Sequence, residues 1–125
     1  MKKILVIDDE ECLRSNVCAI LNYEGFDILE AGNGLKGMQL AKEKLPDLIL
    51  CDIMMPVMNG YELLTAIREC PDTWRIPVIL VSSLDGHENI RKGMALGADD
   101  YILKPFSIQE LLASIYNRLR MEETS

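Results

Sequence analysis

The sequence predicts a single doubly wound α/β domain, with five parallel strands alternating with five helices on both faces of the sheet. Two observations carry that expectation. Short, uninterrupted apolar runs recur along the chain, and stretches with apolar residues at helical spacing separate them. The 125 residues suffice for one domain with a real core, and 49% apolar with 26% charged residues is an ordinary globular balance.

Residues 4–7, 48–51, 78–81 and 101–103 form the apolar runs. They are continuous rather than alternating, as expected of parallel strands covered on both faces. Residues 26–30 are more polar and suit an edge strand. Between these runs, Leu13, Val17, Ile20 and Leu21 follow helical spacing, with Gly25 as a stop signal. Met38, Ala41 and Leu45 form a second stripe ended by Pro46, and Gly60, Leu63, Leu64 and Ile67 a third. Ile90 and Met94 mark a fourth, loosened by Gly93 and Gly97. Ile108, Leu111, Leu112, Ile115 and Leu119 give the clearest stripe, opened by a Ser107–Glu110 capping box.

Strict strand–helix alternation implies a parallel sheet, and right-handed crossovers leave few topologies. By analogy with known five-stranded sheets of this kind, the expected order is the flavodoxin-like 2-1-3-4-5. No Gly/Ser-rich linker interrupts the pattern. The expected organisation is one (βα)5 domain over residues 1–121 and a short tail over 122–125.

A net charge of −7 argues against binding nucleic acid or an anionic membrane directly, since both need clustered Lys and Arg. No apolar run reaches the length of a membrane span. The first apolar stretch is too short for a signal peptide and runs straight into Asp8-Asp9-Glu10-Glu11. Cys12, Cys18, Cys51 and Cys70 make no C-x-x-C pair and suggest no disulfide framework, so a reducing cytoplasm is expected.

In such a sheet, function gathers at the carboxyl ends of the strands, near the switch point. Strand one ends in Asp8-Asp9, strand three in Asp52, strand four in Ser82-Ser83 and strand five in Lys104-Pro105. Each has a local explanation of its own. Asp8-Asp9 could cap a helix, Asp52 shape a turn, Ser82 bond to nearby backbone, and Pro105 open the last helix. Their convergence at one end of one sheet is what points to chemistry. Three carboxylates in a partly buried pocket repel, so either protons or a cation must sit among them. Mg²⁺ suits hard oxygen ligands, and Lys104 adds a mobile positive charge.

Taken together, Ile7-Asp8-Asp9-Glu10, Asp52-Ile53-Met54-Met55-Pro56 with Asn59-Gly60, Val81-Ser82-Ser83, Gly97-Ala98-Asp99-Asp100-Tyr101 and Lys104-Pro105-Phe106 closely resemble response-regulator receiver domains. The resemblance covers the chain from Lys3 to about Leu119. It implies that Asp52 is the phosphoacceptor, loaded by a sensor histidine kinase or phosphotransfer protein. Asp9, Asp52 and the Met54 carbonyl would ligate Mg²⁺, with Asp8 acting largely through water. Lys104 would neutralise phosphoryl charge and Ser82 would donate a hydrogen bond to it. A cis Lys104–Pro105 peptide is also implied.

Ser82 and Tyr101 would form the switch, altering the surface of the fourth helix, fifth strand and fifth helix toward an output partner or domain, or toward a second copy. Such a protein is a phosphoacceptor switch rather than a conventional enzyme. Two features depart from the commoner pattern. Ser82 stands where Thr is usual, and Met54 and Leu84 are apolar at positions that tune water access, which implies slow self-dephosphorylation.

Three rivals remain at this point. A metal-dependent aspartyl-phosphate phosphohydrolase would place Asp-x-Asp after strand one, whereas Asp8 and Asp9 are adjacent. A flavodoxin-like cofactor binder would need a phosphate-cradling loop there rather than four acids. A non-phosphorylated docking module would not need the whole set Asp8, Asp9, Asp52, Ser82 and Lys104.

Overall fold

Each continuous apolar run becomes a strand. In the computed structural model, which describes residues 1–83 and 86–124 (the last four by backbone alone), β1 is Lys3–Ile7, β2 Asp27–Ala31, β3 Leu48–Asp52, β4 Val78–Ser82 and β5 Asp100–Leu103. The helices are α1 Glu11–Tyr23, α2 Gly34–Lys44, α3 Gly60–Glu69, α4 His87–Ala95 and α5 Ile108–Thr124. The sheet is parallel throughout, with order β2-β1-β3-β4-β5. The expected fold and strand order are observed, and the polar β2 lies at an edge.

Side-chain alternation divides the core into two layers. Leu5, Ile7, Ile49, Cys51, Val78 and Leu80 face the helices α2, α3 and α4, whose Ala41, Leu63, Leu64 and Ile67 are buried there. Ile4, Val6, Leu48, Leu50, Ile79 and Val81 face α1 and α5, against Val17, Leu21, Leu111, Ile115 and Leu119. β3 and β4 are buried along their whole length. Continuous apolar runs are the sequence consequence of covering both faces.

Two helical stripes differ from expectation. Leu45 does not extend the α2 stripe; it is the C-cap, in the left-handed region at φ 46°, and is exposed. A left-handed cap turns the chain out of the helix just before Pro46. On α4, Met94 is exposed and the only buried described residue is Gly93. A Cβ on Gly93 would lie 2.9 Å from Leu80 Cδ1 and 3.3 Å from Tyr101 Cδ2, so this helix meets the sheet through its backbone.

The starts of α2, α3 and α5 are fixed by polar side chains. Asn59 and Glu62 form a reciprocal capping box at α3, Asn33 accepts from the Lys36 N–H at α2, and Ser107 Oγ accepts from the Glu110 N–H at α5. The box on Asn59 anchors the helix that follows the loop after Asp52.

At the amino end of the sheet, Arg68 binds the chain together. Its guanidinium donates to the carbonyls of Gly97, Trp74 and Ile76 and pairs with Asp99 at 2.8 Å, while Asp99 also accepts from the Val78 N–H. Among the described residues, no helix is long and apolar enough to cross a membrane.

Candidate phosphoacceptor and metal site

The parallel register places the carboxyl ends of β1, β3, β4 and β5 together. Ile7 pairs with Cys51, Asp52 with Val81, and Ser82 with Leu103, so the residues at or just past those ends share one rim. There, Asp8, Asp9, Glu10, Asp52, Met54, Ser83 and Lys104 line a cleft of about 360 Å³.

Asp8, Asp9 and Asp52 each present a carboxylate oxygen, and these oxygens lie within 4.8 Å of one another. Asp8 and Asp52 are buried, whereas Asp9 is exposed. The Asp8 carboxylate accepts the Glu10 N–H at 2.9 Å, and the Arg14 guanidinium donates to the Asp8 carbonyl at 2.7 Å. Those two contacts fix the β1–α1 turn. Lys104 Nζ reaches Asp52 Oδ1 at 3.1 Å and Asp8 Oδ2 at 3.9 Å. The Lys104–Pro105 peptide is cis, as the resemblance implies, and the Lys104 N–H donates to the Ser82 carbonyl.

Burial dominates the electrostatics. It pushes the Asp52 carboxyl up to about 6, against the opposing pull of Lys104, and Asp8 and Asp9 push the same way. The Asp8 carboxyl is also raised, chiefly by burial, while the Glu10 N–H and Lys104 partly offset it. Lys104 is one charge among three carboxylates and does not balance them.

That imbalance suits a divalent cation. The donors are hard carboxylate oxygens, clustered closely enough to share one ion, with solvent access through Asp9 for ligands the protein does not supply. The cluster can therefore coordinate a divalent metal such as Mg²⁺.

Ser82, the expected hydroxyl, is fully buried at the end of β4. Alternation and register put it on the same sheet face as Leu80, Tyr101 and Leu103. Ser83, its exposed neighbour, is the serine that lines the cleft. Tyr101 is half-buried and packs against the α2–α4 side of the core. Met54 lines the cleft and is exposed, while Leu84 lies outside the described residues.

Arg14 escaped sequence reasoning, whereas Ser83 and Gly60 stood in the motifs without a role of their own. Arg14 carries no signal without the turn geometry. Gly60 does carry one, since it opens a helix directly after the loop; a Cβ there would sit 2.6 Å from the Asp52 carbonyl oxygen. Its N–H donates to the Ile53 carbonyl, closing that loop.

The family model for the response regulator receiver domain matches residues 4–116. The DNA-binding dual master transcriptional regulator RpaA of Synechocystis is 37% identical over 120 residues, covering 96% of this chain and 50% of that protein. The phosphate regulon transcriptional regulatory protein PhoB of Rhizobium meliloti is 38% identical over 120 residues, covering 96% and 53% respectively. The chain thus spans about half the length of these curated relatives. Among solved structures, a CheY-like response regulator receiver domain protein from Methanospirillum hungatei superposes with a TM-score of 0.91 at 30% identity, covering 99% of this chain and 98% of that one. The chain belongs to the response regulator receiver domain family.

Proposed function

We propose that the chain is a phosphorelay receiver in which Asp52 accepts a phosphoryl group from a sensor histidine kinase or a phosphotransfer protein. The observation that carries this reading is the triad of carboxylates within 4.8 Å together with Lys104 at 3.1 Å from Asp52. Above its titration point, Asp52 is an ionised nucleophile held by the β3 ladder in a cleft open to a phosphoryl donor. Its oxygen forms the new bond to phosphorus as the donor's P–N bond breaks, and the imidazole leaves with that electron pair. Lys104, 3.1 Å from Asp52, would exchange that contact for one with a phosphoryl oxygen.

Asp9, Asp52 and the Met54 carbonyl would hold Mg²⁺ directly, with Asp8 reaching it through water. A bound Mg²⁺ supplies charge neutralisation across the transferring oxygens. Ser82 would follow the phosphoryl group as hydrogen-bond donor, and Tyr101, on the same sheet face, would carry the change to the surface of α4, β5 and α5.

Output follows from what that surface meets. Two relatives are named as transcriptional regulators and are about twice as long as this chain. A DNA-binding output module acting with this receiver, and pairing of two copies through α4-β5-α5, are therefore the proposed readouts, with the cytoplasm as the site of action. The receiver itself contacts no nucleic acid in this scheme, consistent with its net charge of −7.

Intact-protein mass after incubation with phosphoramidate or acetyl phosphate tests the proposal. One added phosphoryl group is expected with Mg²⁺ and not with a chelator. An adduct that forms equally well without divalent metal would overturn the metal assignment, and no adduct under any condition would favour a docking module.

A further inference from the structure

Tyr61, the second residue of α3, has no part in the chemistry above, yet it links the start of α3 directly to α4. It is 8% exposed, so its hydroxyl needs a protein partner. That hydroxyl donates to the Asn89 carbonyl in the first turn of α4 at 3.1 Å. The same carbonyl belongs to the helix ladder and faces the Gly93 N–H one turn on. Lys92 Nζ lies 4.6 Å from the centre of the Tyr61 ring, so α4 also grips the ring from its second turn. Burial, together with the neighbouring Tyr101 phenol, pushes the Tyr61 phenol up to about 12. Gly93 completes the arrangement, because only a residue without a side chain lets α4 lie this close over the Tyr101 ring.

The other end of the connection is equally short. Gly60, next to Tyr61, donates to the Ile53 carbonyl at 2.9 Å and packs against the Asp52 main chain. Movement of the loop after Asp52 must therefore move the start of α3, and with it the Tyr61 phenol.

We propose that Tyr61 is a positioning residue of the switch: its hydroxyl, bonded to the Asn89 carbonyl, and its ring, packed in the same core as Tyr101, couple the loop after Asp52 to α4 and keep the Tyr101 ring beneath that helix. The proposal rests on Asp52 as phosphoacceptor for its biological sense, but the latch itself exists in the unphosphorylated protein. Coupling of this kind is reciprocal, so occupancy at Asp52 must be visible at Tyr101, and loss of the latch must weaken that response.

Tyr61→Phe removes the hydroxyl and keeps the ring. Two readouts suffice: amide exchange along α4, and fluorine NMR of 3-fluorotyrosine protein with the Tyr101 resonance assigned through Tyr101→Phe. Losing one buried hydrogen bond is expected to speed exchange of the Gly93 amide about three- to tenfold. The Tyr101 resonance should become about twofold more sensitive to a soluble paramagnetic agent, and its response to Mg²⁺ with beryllofluoride should fall by half or more. Arg68→Ala, which loosens the opposite end of the sheet, should leave the Tyr101 readouts unchanged, separating positioning from general loss of stability. Lys92→Met frees the ring from the surface and should act in the same direction more weakly, which covers the case of a poorly folding Tyr61→Phe.

Unchanged Gly93 exchange and an unchanged Tyr101 resonance in Tyr61→Phe would overturn the proposal. If the wild type itself fails to respond to beryllofluoride, the phosphoacceptor reading falls, while the two readouts on the free protein still decide the latch.

Discussion

Replacing Asp52 with Asn should make the metal-free protein more stable, and the gain should depend on pH. Asp52 is 6% exposed and its carboxyl titrates at about 6 rather than 3.8, burial being the main cause even with Lys104 at 3.1 Å. The folded state therefore binds the proton more tightly than the unfolded chain. Between those two values the native protein carries more bound protons, so stability falls as pH rises through this window and stays low above it. At about 1.4 kcal/mol per pH unit, the charge costs the fold at most about 3 kcal/mol at pH 8. Part of this is recovered through relaxation of the cleft, so a gain of about 1–3 kcal/mol is expected for Asp52→Asn at pH 8. Linkage puts roughly half of that gain at pH 5.

Urea unfolding of wild type and variant at both pH values measures this directly, provided the slope m is unchanged. Mg²⁺ at about 100 times its Kd should stabilise the wild type by about 2.7 kcal/mol and the variant much less. A variant less stable than wild type at pH 8, or a difference independent of pH, would refute the reasoning. Either result would mean that the Lys104 pair outweighs burial and that Asp52 is structurally satisfied.

Gly60→Ala should destabilise the fold by about 1–3 kcal/mol and slow phosphorylation, because the added Cβ meets backbone of Asp52 and Ile53 at 2.6 and 2.8 Å; unfolding and donor kinetics check it. Arg68→Ala should cost about 2–3 kcal/mol by urea unfolding, since its guanidinium joins three carbonyls and Asp99, yet leave the phosphorylation rate within about twofold because it lies at the far end of the sheet. Met54→Asn combined with Leu84→Glu should shorten the phosphoryl half-life tenfold or more, toward the about 10²-fold a positioned polar group typically contributes, as read by decay of the intact-mass adduct.

Much of this was legible in the sequence, for a physical reason. Strands buried on both faces must be apolar throughout, so the runs ending at Ile7, Cys51 and Val81 announce themselves, and the acids beyond them fall at one rim once the sheet is parallel. Asp8, Asp9, Asp52 and Lys104 could thus be assembled from strand ends alone. The remainder depends on contacts that no periodicity encodes. Met94 looks like the apolar anchor of α4, but Gly93 makes the contact because Tyr101 and Leu80 occupy the space a side chain would need. Leu45 looks like part of a stripe, but the chain leaves the helix there in a left-handed conformation. Nothing in the pattern singles out Arg68, and only the fold brings Gly97, Ile76 and Asp99 around it. Nor does the pattern single out Tyr61, whose hydroxyl partner on α4 lies 28 residues away along the chain.

The central claim is that Asp52 carries the phosphoryl group, and borohydride trapping tests it most directly. Borohydride reduces an aspartyl phosphate to homoserine, and peptide mass mapping then reports which residue was converted. After incubation with phosphoramidate and Mg²⁺, conversion confined to Asp52 is the expected result, with none in protein incubated without donor. Conversion at Asp8 or Asp9 with Asp52 intact, or no conversion in protein that gained phosphoryl mass, would contradict it.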